Sequence, residues 1–355
     1  MALHFHKLKV KDIRKETPEC VSIAFDIPVG LEKEFHFIQG QNITIKTDLD
    51  DTRRSYSICS SPLDNELRIA VKKLNNGVFS SFANEQLKAG DELEIMTPAG
   101  TFYTEVNAQN KKNYLFFAAG SGITPVISII KTILRTEAES TVTLVYGNKN
   151  VASIIFKEQL ESIKDKYLQR FSLYHILSRE TTDSEFNNGR IDVAKCDRLS
   201  EMIDFNGVDD FFICGPEQLI FTVRDFLQGW GIDGKKIHFE LFTTPTRKHT
   251  KIYTAVKETT EEGSAITVKL DGRTFEFNLD YNGNVILDAA LAEGADVPFA
   301  CKGGVCCTCK AKIIEGEVEM ESNYGLDKSE VKAGFVLTCQ SHPRSKKVVV
   351  DYDAT

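Results

Sequence analysis

The first hundred residues alternate short β-favouring runs with turn residues. Runs of four or five such residues begin at Val21, Asn42, Ser55, Leu67 and Glu92, and turn-forming Gly, Pro or Asn residues lie between most of them. One helical stretch interrupts the pattern near residues 80–87. Closely spaced strands joined by turns are typical of a small closed sheet. Residues 1–106 are therefore predicted to form an antiparallel β-barrel.

From residue 107 to residue 242 apolar strands alternate with helical stretches. Strands are predicted at 115–119, 141–146, 171–177 and 211–214, and helices at 124–134, 153–163 and 217–228. Because parallel strands need a crossover connection, this β-α-β alternation predicts an α/β domain whose parallel sheet is covered by helices.

The last third of the chain begins with a change of composition. Residues 243–262 are polar and without periodicity, as in a linker, although residues 252–256 fit a short strand. Residues 263–355 then form a third unit, in which Asp271-Gly272 between two β runs predicts a hairpin and residues 286–293 predict a helix. Residues 315–321 alternate Glu with other residues, and one strand there would place its glutamates on one face. Such a face is either an edge that resists aggregation or an acidic docking surface.

Charge and hydropathy exclude several classes of protein. The net charge of −8 disfavours a nucleic-acid binder, which needs a basic stripe, and a protein that docks on anionic membranes. No apolar run approaches the ~18 residues of a membrane-spanning helix. The N-terminus lacks the continuous apolar stretch of a signal peptide, so we expect a cytoplasmic protein.

The cysteines carry the most specific pattern. Of nine in the chain, five lie between Cys301 and Cys339. Four of these follow C-x4-C-x2-C-x29-C, which is the ligand spacing of plant-type [2Fe–2S] clusters. The predicted ligands are Cys301, Cys306, Cys309 and Cys339. A structural zinc site is the alternative, but such sites usually pair two C-x2-C knuckles and only one is present.

Two further features of the cysteine loop bear on this prediction. Gly303 and Gly304 permit positive φ and let backbone N–H groups approach the sulfurs, which helps to set the reduction potential. Cys307 is surplus, because using it in place of Cys306 would break the spacing.

Three other motifs are suited to anions and flat rings. The segment 120–125, Gly-Ser-Gly-Ile-Thr-Pro, follows a predicted strand and begins a predicted helix, as a pyrophosphate-binding turn does. The segment 54–57, Arg-Ser-Tyr-Ser, offers a cation for phosphate, an aromatic ring and a hydroxyl. The segment 77–80, Gly-Val-Phe-Ser, begins the helix near residue 80 and forms a second candidate anion cradle. A plain strand-to-helix turn and a core tyrosine are the alternative interpretations.

Together these motifs, with Cys214-Gly215-Pro216, resemble the ferredoxin–NADP reductase superfamily. The late cysteines narrow the resemblance to the single-chain reductases of multicomponent oxygenases. Residues 5–8, 300–306 and 320–324 are similar to the reductase components of phenylacetyl-CoA epoxidases. The resemblance extends over essentially the whole chain, and it implies that the third domain is a β-grasp [2Fe–2S] ferredoxin domain.

The resemblance implies an oxidoreductase that passes electrons from NAD(P)H to FAD, then to the cluster and then to an oxygenase. The implied catalytic residues are Tyr56, Ser57, Cys214, Glu240 and Phe242. The implied flavin-binding residues are Arg54, Tyr56, Ser57, Val71, Lys72, Gly77, Val78, Phe79 and Ser80. The implied nucleotide-binding residues are Gly120, Ser121, Gly122, Thr124, Pro125, Cys214, Gly215 and Pro216.

Ser178 and Arg179 bear on the choice of nucleotide. They follow the third strand of the α/β domain and resemble the 2′-phosphate site of NADPH-using relatives, so NADPH is expected rather than NADH. A solvent-facing charge at a strand end is the alternative for Arg179. The expected partner is the di-iron phenylacetyl-CoA epoxidase of phenylacetate catabolism. Another ring-hydroxylating or steroid oxygenase, or a non-catalytic iron–sulfur carrier or sensor, remains an alternative.

Overall fold

A computed structural model describes residues 4–47, 53–242 and 263–354. These residues divide into two compact units. One contains residues 6–47 and 56–241, and the other contains residues 4–5, 53–55, 242 and 263–354. The predicted linker, residues 243–262, lies outside the described residues together with its short strand. Within the part of the chain that the structure describes, no helix is both long enough and apolar enough to cross a membrane.

Six strands form the N-terminal sheet, in the order β4-β3-β6-β1-β2-β5. They are β1 (Phe5–Thr17), β2 (Cys20–Asp26), β3 (Asn42–Lys46), β4 (Arg53–Ser57), β5 (Leu67–Lys72) and β6 (Glu92–Met96). Directly after β4, Ile58 bridges to Ile69 in β5, so the two edges of the sheet meet and the predicted barrel is confirmed. Helix α1 (Val78–Glu85) packs Phe79 and Ala83 into the core of the same sheet.

A five-stranded parallel sheet forms the middle domain, in the order β11-β10-β7-β8-β9. Its strands are β7 (Asn113–Ala119), β8 (Thr141–Asn148), β9 (Phe171–Leu177), β10 (Asp210–Cys214) and β11 (Ile237–Glu240). Its helices are α2 (Ile123–Thr136), α3 (Lys157–Lys166), α4 (Val193–Ser200) and α5 (Glu217–Gly229). The α/β prediction is therefore confirmed.

Helix α2 is almost entirely buried, because it packs on the parallel sheet and also contacts the barrel. Ser128 Oγ of α2 donates a hydrogen bond to the Ser60 carbonyl of the barrel at 2.6 Å. Asp64 of the barrel accepts hydrogen bonds from Lys131 and Arg135 on the next turns of α2. These polar contacts fix the barrel against helix α2 of the α/β domain.

The C-terminal domain has a mixed five-stranded sheet in the order β13-β12-β18-β14-β16 and a two-stranded sheet of β15 and β17. The strands are β12 (Ser264–Leu270), β13 (Arg273–Leu279), β14 (Lys310–Glu315), β15 (Val318–Met320), β16 (Phe335–Leu337), β17 (Ser341–Pro343) and β18 (Lys347–Asp351). Helix α6 (Ile286–Ala292) buries Ile286, Leu287 and Ala290 in the core of the domain, and α7 (Lys328–Lys332) is short. The hairpin of β12 and β13 turns at Asp271-Gly272 as predicted, and the fold is the expected β-grasp type.

The single glutamate strand predicted at 315–321 is wrong. Strand β14 ends at Glu315 because Gly316, at φ +89°, turns the chain against the Lys347 carbonyl, and β15 then pairs with β17 in the other sheet. Three of the glutamates also form ion pairs or hydrogen bonds with basic partners. These pairs are Glu315 with Lys347, Glu319 with Arg344 and Glu321 with His342. The acidic docking face therefore loses its support.

Two other elements differ from the sequence-based expectation. Helix α3 begins at Lys157 rather than at Ser153, because Asn150 and Ser153 cap a separate short turn and Phe156 adopts φ +61° before the helix. Strand β1 was not predicted, since its buried Leu8 and Val10 alternate with lysines within a highly charged run.

Candidate functional site

The carboxyl ends of β7 and β10 meet at the point where the strand order of the parallel sheet reverses. Ligands bind at such switch points in open α/β sheets. The turn 120–122 follows β7, and Cys214-Gly215 follows β10. A Cβ atom on Gly122 would lie 2.1 Å from the Cys214 carbonyl oxygen, so only glycine fits there. Gly120 adopts φ +54°, and Tyr146 Oη donates to its carbonyl at 2.9 Å.

The start of α2 is arranged as the motif predicts. Thr124 Oγ1 donates to the Ser121 carbonyl at 2.9 Å and holds the turn, while Pro125 lies in the first helical turn, where no backbone N–H is needed. Both side chains are buried. The first turn of this helix thus supplies the N–H groups and the positive end of the helix dipole that a pyrophosphate requires.

A cavity of about 380 Å³ opens beside this turn. Basic side chains dominate the charged part of its lining, namely Lys72, Lys149, Arg179 and Arg190. Asp192 also lines it, but its carboxylate accepts the Lys195 N–H as the N-cap of α4. The cavity therefore suits an anionic ligand with more than one phosphate.

The structure brings only part of the predicted nucleotide site to this cavity. Gly120, Pro216, Ser178 and Arg179 line it. The remaining predicted nucleotide residues are outside its lining, and these are Ser121, Gly122, Thr124, Pro125, Cys214 and Gly215. Of these, Gly122 and Cys214 form the close backbone contact behind the turn.

Sequence reasoning missed most of the cavity wall, including the polar residues Lys149, Arg190, Gln218 and Thr222. Arg190 reaches the cavity because the chain returns to β9: Gly189 N donates to the Leu177 carbonyl at 2.8 Å, and Asn188 bridges to Leu177. The sequence signal that could have indicated this return is Gly189, which precedes Arg190 and permits a turn. In the structure Gly189 adopts φ +100°.

Lys72 also differs in place from its predicted flavin role. It lines the nucleotide cavity, and its Nζ lies 3.7 Å from where a Cβ on Gly120 would be. Val71 is fully buried in the barrel core, so its side chain does not line a ligand site. These two positions favour a nucleotide contact for Lys72 and a packing role for Val71.

The predicted flavin residues lie on the barrel and on α1. The rings of Tyr56 and Phe79 are 5.4 Å apart and tilted by 46°. Gly77 precedes α1, and a Cβ atom there would lie 2.3 Å from Ser80 Oγ. That hydroxyl is turned inward and donates to the Gly77 carbonyl at 3.2 Å, so Ser80 holds the turn and its backbone is the part available to a phosphate. The exposed Val78 follows, and the tight turn at Gly77 fits a pyrophosphate cradle.

Ser57, Glu240 and Cys214 lie close together at the ends of their strands. Ser57 Oγ donates to Glu240 Oε2 at 3.1 Å, and Cys214 is paired with Glu240 in the register of β10 and β11. Burial raises the pKa of Glu240 to about 8, and the Ser57 hydrogen bond opposes this. Burial, followed by the nearby Glu240 carboxyl, raises the pKa of the Cys214 thiol well above its ordinary value. Both groups therefore hold protons near neutral pH.

Two predicted residues lie apart from these contacts. Arg54 is exposed, and its guanidinium donates to the Arg53 carbonyl at 2.9 Å. Phe242 is 40% exposed and directly precedes the residues that the structure does not describe.

Four thiols of the C-terminal domain converge as the spacing predicts. Cys301 contacts both Cys306 and Cys339, and Cys339 also contacts Cys309. The Cys306 thiol, followed by that of Cys339, holds the pKa of Cys301 well below its usual range. Among the described residues, no group of three or more His, Cys, Asp or Glu side chains is arranged so that it could hold a single metal ion. Contacts that run from pair to pair suit two irons that share four thiolates.

The loop around these thiols is built for close backbone contacts. Gly303 N donates to Cys301 Sγ at 3.3 Å, and Cys301 N donates to Cys306 Sγ at 3.5 Å. Gly304 adopts φ +75°, and a Cβ there would lie 2.8 Å from the Ser322 carbonyl. The positive φ expected at both glycines is present at Gly304 and not at Gly303, while Lys302 and Cys307 take the other left-handed positions of the loop. The donors and thiols present fit a [2Fe–2S] cluster.

The surplus Cys307 lies in the same loop. Its Sγ lies 2.5 Å from where a Cβ on Gly325 would be, so it packs against that glycine. Burial raises the pKa of the Cys307 thiol to about 12. This partly buried cysteine therefore holds its proton, which agrees with the prediction that it is not a cluster ligand.

Comparisons with known proteins agree with this arrangement. Residues 7–103 match the oxidoreductase FAD-binding domain, residues 116–225 the oxidoreductase NAD-binding domain, and residues 268–344 the 2Fe-2S iron-sulfur cluster binding domain. Phthalate dioxygenase reductase, described as a modular structure for electron transfer from pyridine nucleotides to [2Fe–2S], aligns with a TM-score of 0.59 and 25% identity over 98% of each chain.

Two curated relatives span the full length of the chain. A component of the 1,2-phenylacetyl-CoA epoxidase from Escherichia coli K12 is 44% identical over 99% of this chain and 98% of its own. The ferredoxin reductase component of 3-ketosteroid-9-alpha-monooxygenase from Rhodococcus rhodochrous is 31% identical over 97% of this chain and 96% of its own. Such relatives are oxygenase components, which disfavours a non-catalytic carrier. The chain therefore belongs to the ferredoxin–NADP reductase-like family of oxygenase reductases, with FAD-binding, NAD-binding and [2Fe–2S] domains in one polypeptide.

Proposed function

We propose that this reductase takes its electrons from NADPH and delivers them to a di-iron phenylacetyl-CoA epoxidase. When bound in these domains, FAD would supply hydride acceptance with release of single electrons, and a [2Fe–2S] cluster would supply one-electron transfer to the partner. The observation that carries the choice of nucleotide is the set of four basic side chains around the cavity beside Gly120. Three of them, Lys149, Arg179 and Arg190, line this cavity together with Ser178, to which the family resemblance assigns the 2′-phosphate.

The cations divide by position along the cavity. Lys72 lies at the Gly120 turn and is suited to the pyrophosphate, while Arg179 and Arg190 follow β9. Guanidinium groups bind a phosphate dianion in bidentate geometry, and NADH lacks that phosphate. The two arginines therefore favour NADPH through a contact that NADH cannot make.

The test replaces Arg179 and Arg190 by alanine, singly and together. A lost charge-assisted contact costs about 1.5–3 kcal/mol, so each variant should raise the KM for NADPH about 10-fold or more and leave that for NADH nearly unchanged. Arg198→Ala is the matched control, because Arg198 is an exposed arginine of α4 outside the cavity lining. Equal effects on NADPH and NADH would contradict the proposal.

The residues at the strand ends position the reacting rings rather than act as acid and base. Tyr56 offers a ring for the flavin, and Ser57, held by Glu240, offers a hydroxyl for flavin N5. Cys214, Gly215 and Pro216 would border the nicotinamide. The neutral forms of Cys214 and Glu240 keep negative charge away from the hydride path.

The partner is proposed from the full-length similarity to the epoxidase component of Escherichia coli. The experiment mixes the purified reductase with the oxygenase components of a phenylacetyl-CoA epoxidase and measures NADPH oxidation coupled to epoxide formation. A 3-ketosteroid 9α-hydroxylase serves as the competing acceptor, because its reductase is also similar over the full length. Faster coupled turnover with the steroid oxygenase than with the epoxidase would overturn the assignment. Ferricyanide reduction, which needs the flavin only, confirms in each mixture that the reductase is active.

A further inference from the structure

Gln340 directly follows the fourth cluster ligand and is nearly buried, with 8% of its surface exposed. Its side-chain amide Nε2 donates to the Lys302 carbonyl at 3.1 Å and to the Cys339 carbonyl at 2.7 Å. The same nitrogen lies 3.8 Å from Cys339 Sγ. One amide thus connects the loop that bears three ligands with the segment that bears the fourth.

The position of this amide is fixed on several sides. The Gln340 carbonyl accepts the Glu321 N–H at 2.8 Å, and Tyr324 N donates to the Gly304 carbonyl at 2.9 Å. A Cβ atom on Gly304 would lie 3.1 Å from Gln340 Cγ, so the ligand loop packs directly on the glutamine side chain. Because the amide cannot swing away without disturbing this packing, Nε2 stays beside the sulfur of the fourth ligand, with which it makes a long, shared hydrogen bond.

Two other ligand thiols receive hydrogen bonds from the backbone. Gly303 N donates to Cys301 Sγ, and Cys301 N donates to Cys306 Sγ. Backbone donors do not depend on which side chains are present. The donor at Cys339 Sγ, in contrast, is a side chain and depends on the amino acid at position 340.

We infer that Gln340 is a positioning residue that raises the reduction potential of the [2Fe–2S] cluster. Reduction adds one electron to the cluster and increases the negative charge on its thiolates. A hydrogen-bond donor at a ligand sulfur stabilises that added charge and so favours the reduced form. The same amide, by holding the Lys302 carbonyl, keeps the ligand loop in the geometry in which this donor acts.

The test is an EPR-monitored redox titration of the complete holoprotein. Gln340→Met keeps the length and apolar contact of the side chain and removes the donor. We expect about a tenfold lower ratio of reduced to oxidised cluster at a fixed potential, which is a negative shift of about 59 mV for a one-electron couple. Iron content and the visible absorption of the oxidised cluster should remain at the wild-type level.

A control separates tuning from loosened structure. Ser341→Ala removes the buried hydrogen bond from Ser341 Oγ to the Leu337 carbonyl, 2.8 Å long, which involves no ligand sulfur. This variant should lower thermal stability and leave the potential unchanged. If Gln340→Met does not hold the cluster, Gln340→Leu replaces it, because its side chain also offers no donor and adds no charge. A ratio within twofold of wild type in the variant that holds the cluster, or an equal shift in Ser341→Ala, would overturn the inference.

Discussion

The contact between Gly122 and Cys214 gives the sharpest test of the nucleotide site. A methyl group at position 122 would lie 2.1 Å from the Cys214 carbonyl oxygen, 2.4 Å from its carbon and 2.7 Å from Gly215 N. All three atoms belong to the backbone, so no side chain can turn aside. Restoring ordinary contact requires the start of α2 and the strand end of β10 to separate by about 1 Å.

That separation would act on the two segments that we propose border the nicotinamide. A misplacement of about 1 Å at a reacting centre costs roughly 100-fold in rate, and overpacking costs about 1–3 kcal/mol in stability. We therefore expect Gly122→Ala to lower kcat/KM for NADPH by about 100-fold. Flavin content should be unchanged, because the barrel and α1 hold the flavin in this arrangement.

Gly120→Ala is the matched control in the same turn. Gly120 adopts φ +54°, but its added methyl group would meet only Lys72 Nζ, at 3.7 Å. The expected cost is therefore the left-handed backbone alone, about 1–2 kcal/mol, with a smaller loss of rate. The assay is anaerobic stopped-flow bleaching of flavin absorbance by NADPH. If Gly122→Ala stays within fivefold of wild type, or if both variants lose the same rate, the steric argument is wrong.

Three further predictions concern other parts of the molecule. Glu240→Gln removes a carboxyl whose pKa is raised from 4.5 to about 8, so the stability of the wild type should fall as the pH rises from 4.5 to 8. The melting temperature, measured by the release of flavin, should fall over this pH range in the wild type and not in the variant. Asp64→Ala leaves Lys131 and Arg135 of α2 without their partly buried acceptor, so the free energy of unfolding in urea should fall by about 1–3 kcal/mol. An unchanged midpoint of urea unfolding would contradict the contact between α2 and the barrel. Cys307→Ser should retain iron and cluster absorption, while Cys306→Ser should lose both and keep NADPH-to-ferricyanide activity.

The features predicted from sequence are those whose signal is local. The cluster ligands could be assigned because three of them lie within nine residues, and the glycine turn because strand, turn and helix follow one another directly. The prediction of a single strand over residues 315–321 was wrong because its signal was local as well. Period-two alternation predicts one strand, but a single glycine at Gly316, placed against the Lys347 carbonyl, ends that strand and divides the run between two sheets. The alternation of glutamates with other residues gives no sign of a turn that depends on a contact with a segment distant in sequence.

The other residues of the cavity are brought there by segments that turn back toward the parallel sheet, and such turns leave no periodic pattern in the sequence. Arg190 joins Arg179 in one cavity only because residues 188–189 return to pair with the end of β9, and Lys149 joins them from the end of β8. A single arginine after β9 leaves the choice of NADPH or NADH open, since such a residue is as easily a solvated strand end. Three cations around one cavity are harder to explain without an anion, because like charges brought together repel one another. The proposed preference for NADPH therefore rests on the tertiary grouping of these side chains, and the variants of Arg179 and Arg190 test that grouping directly.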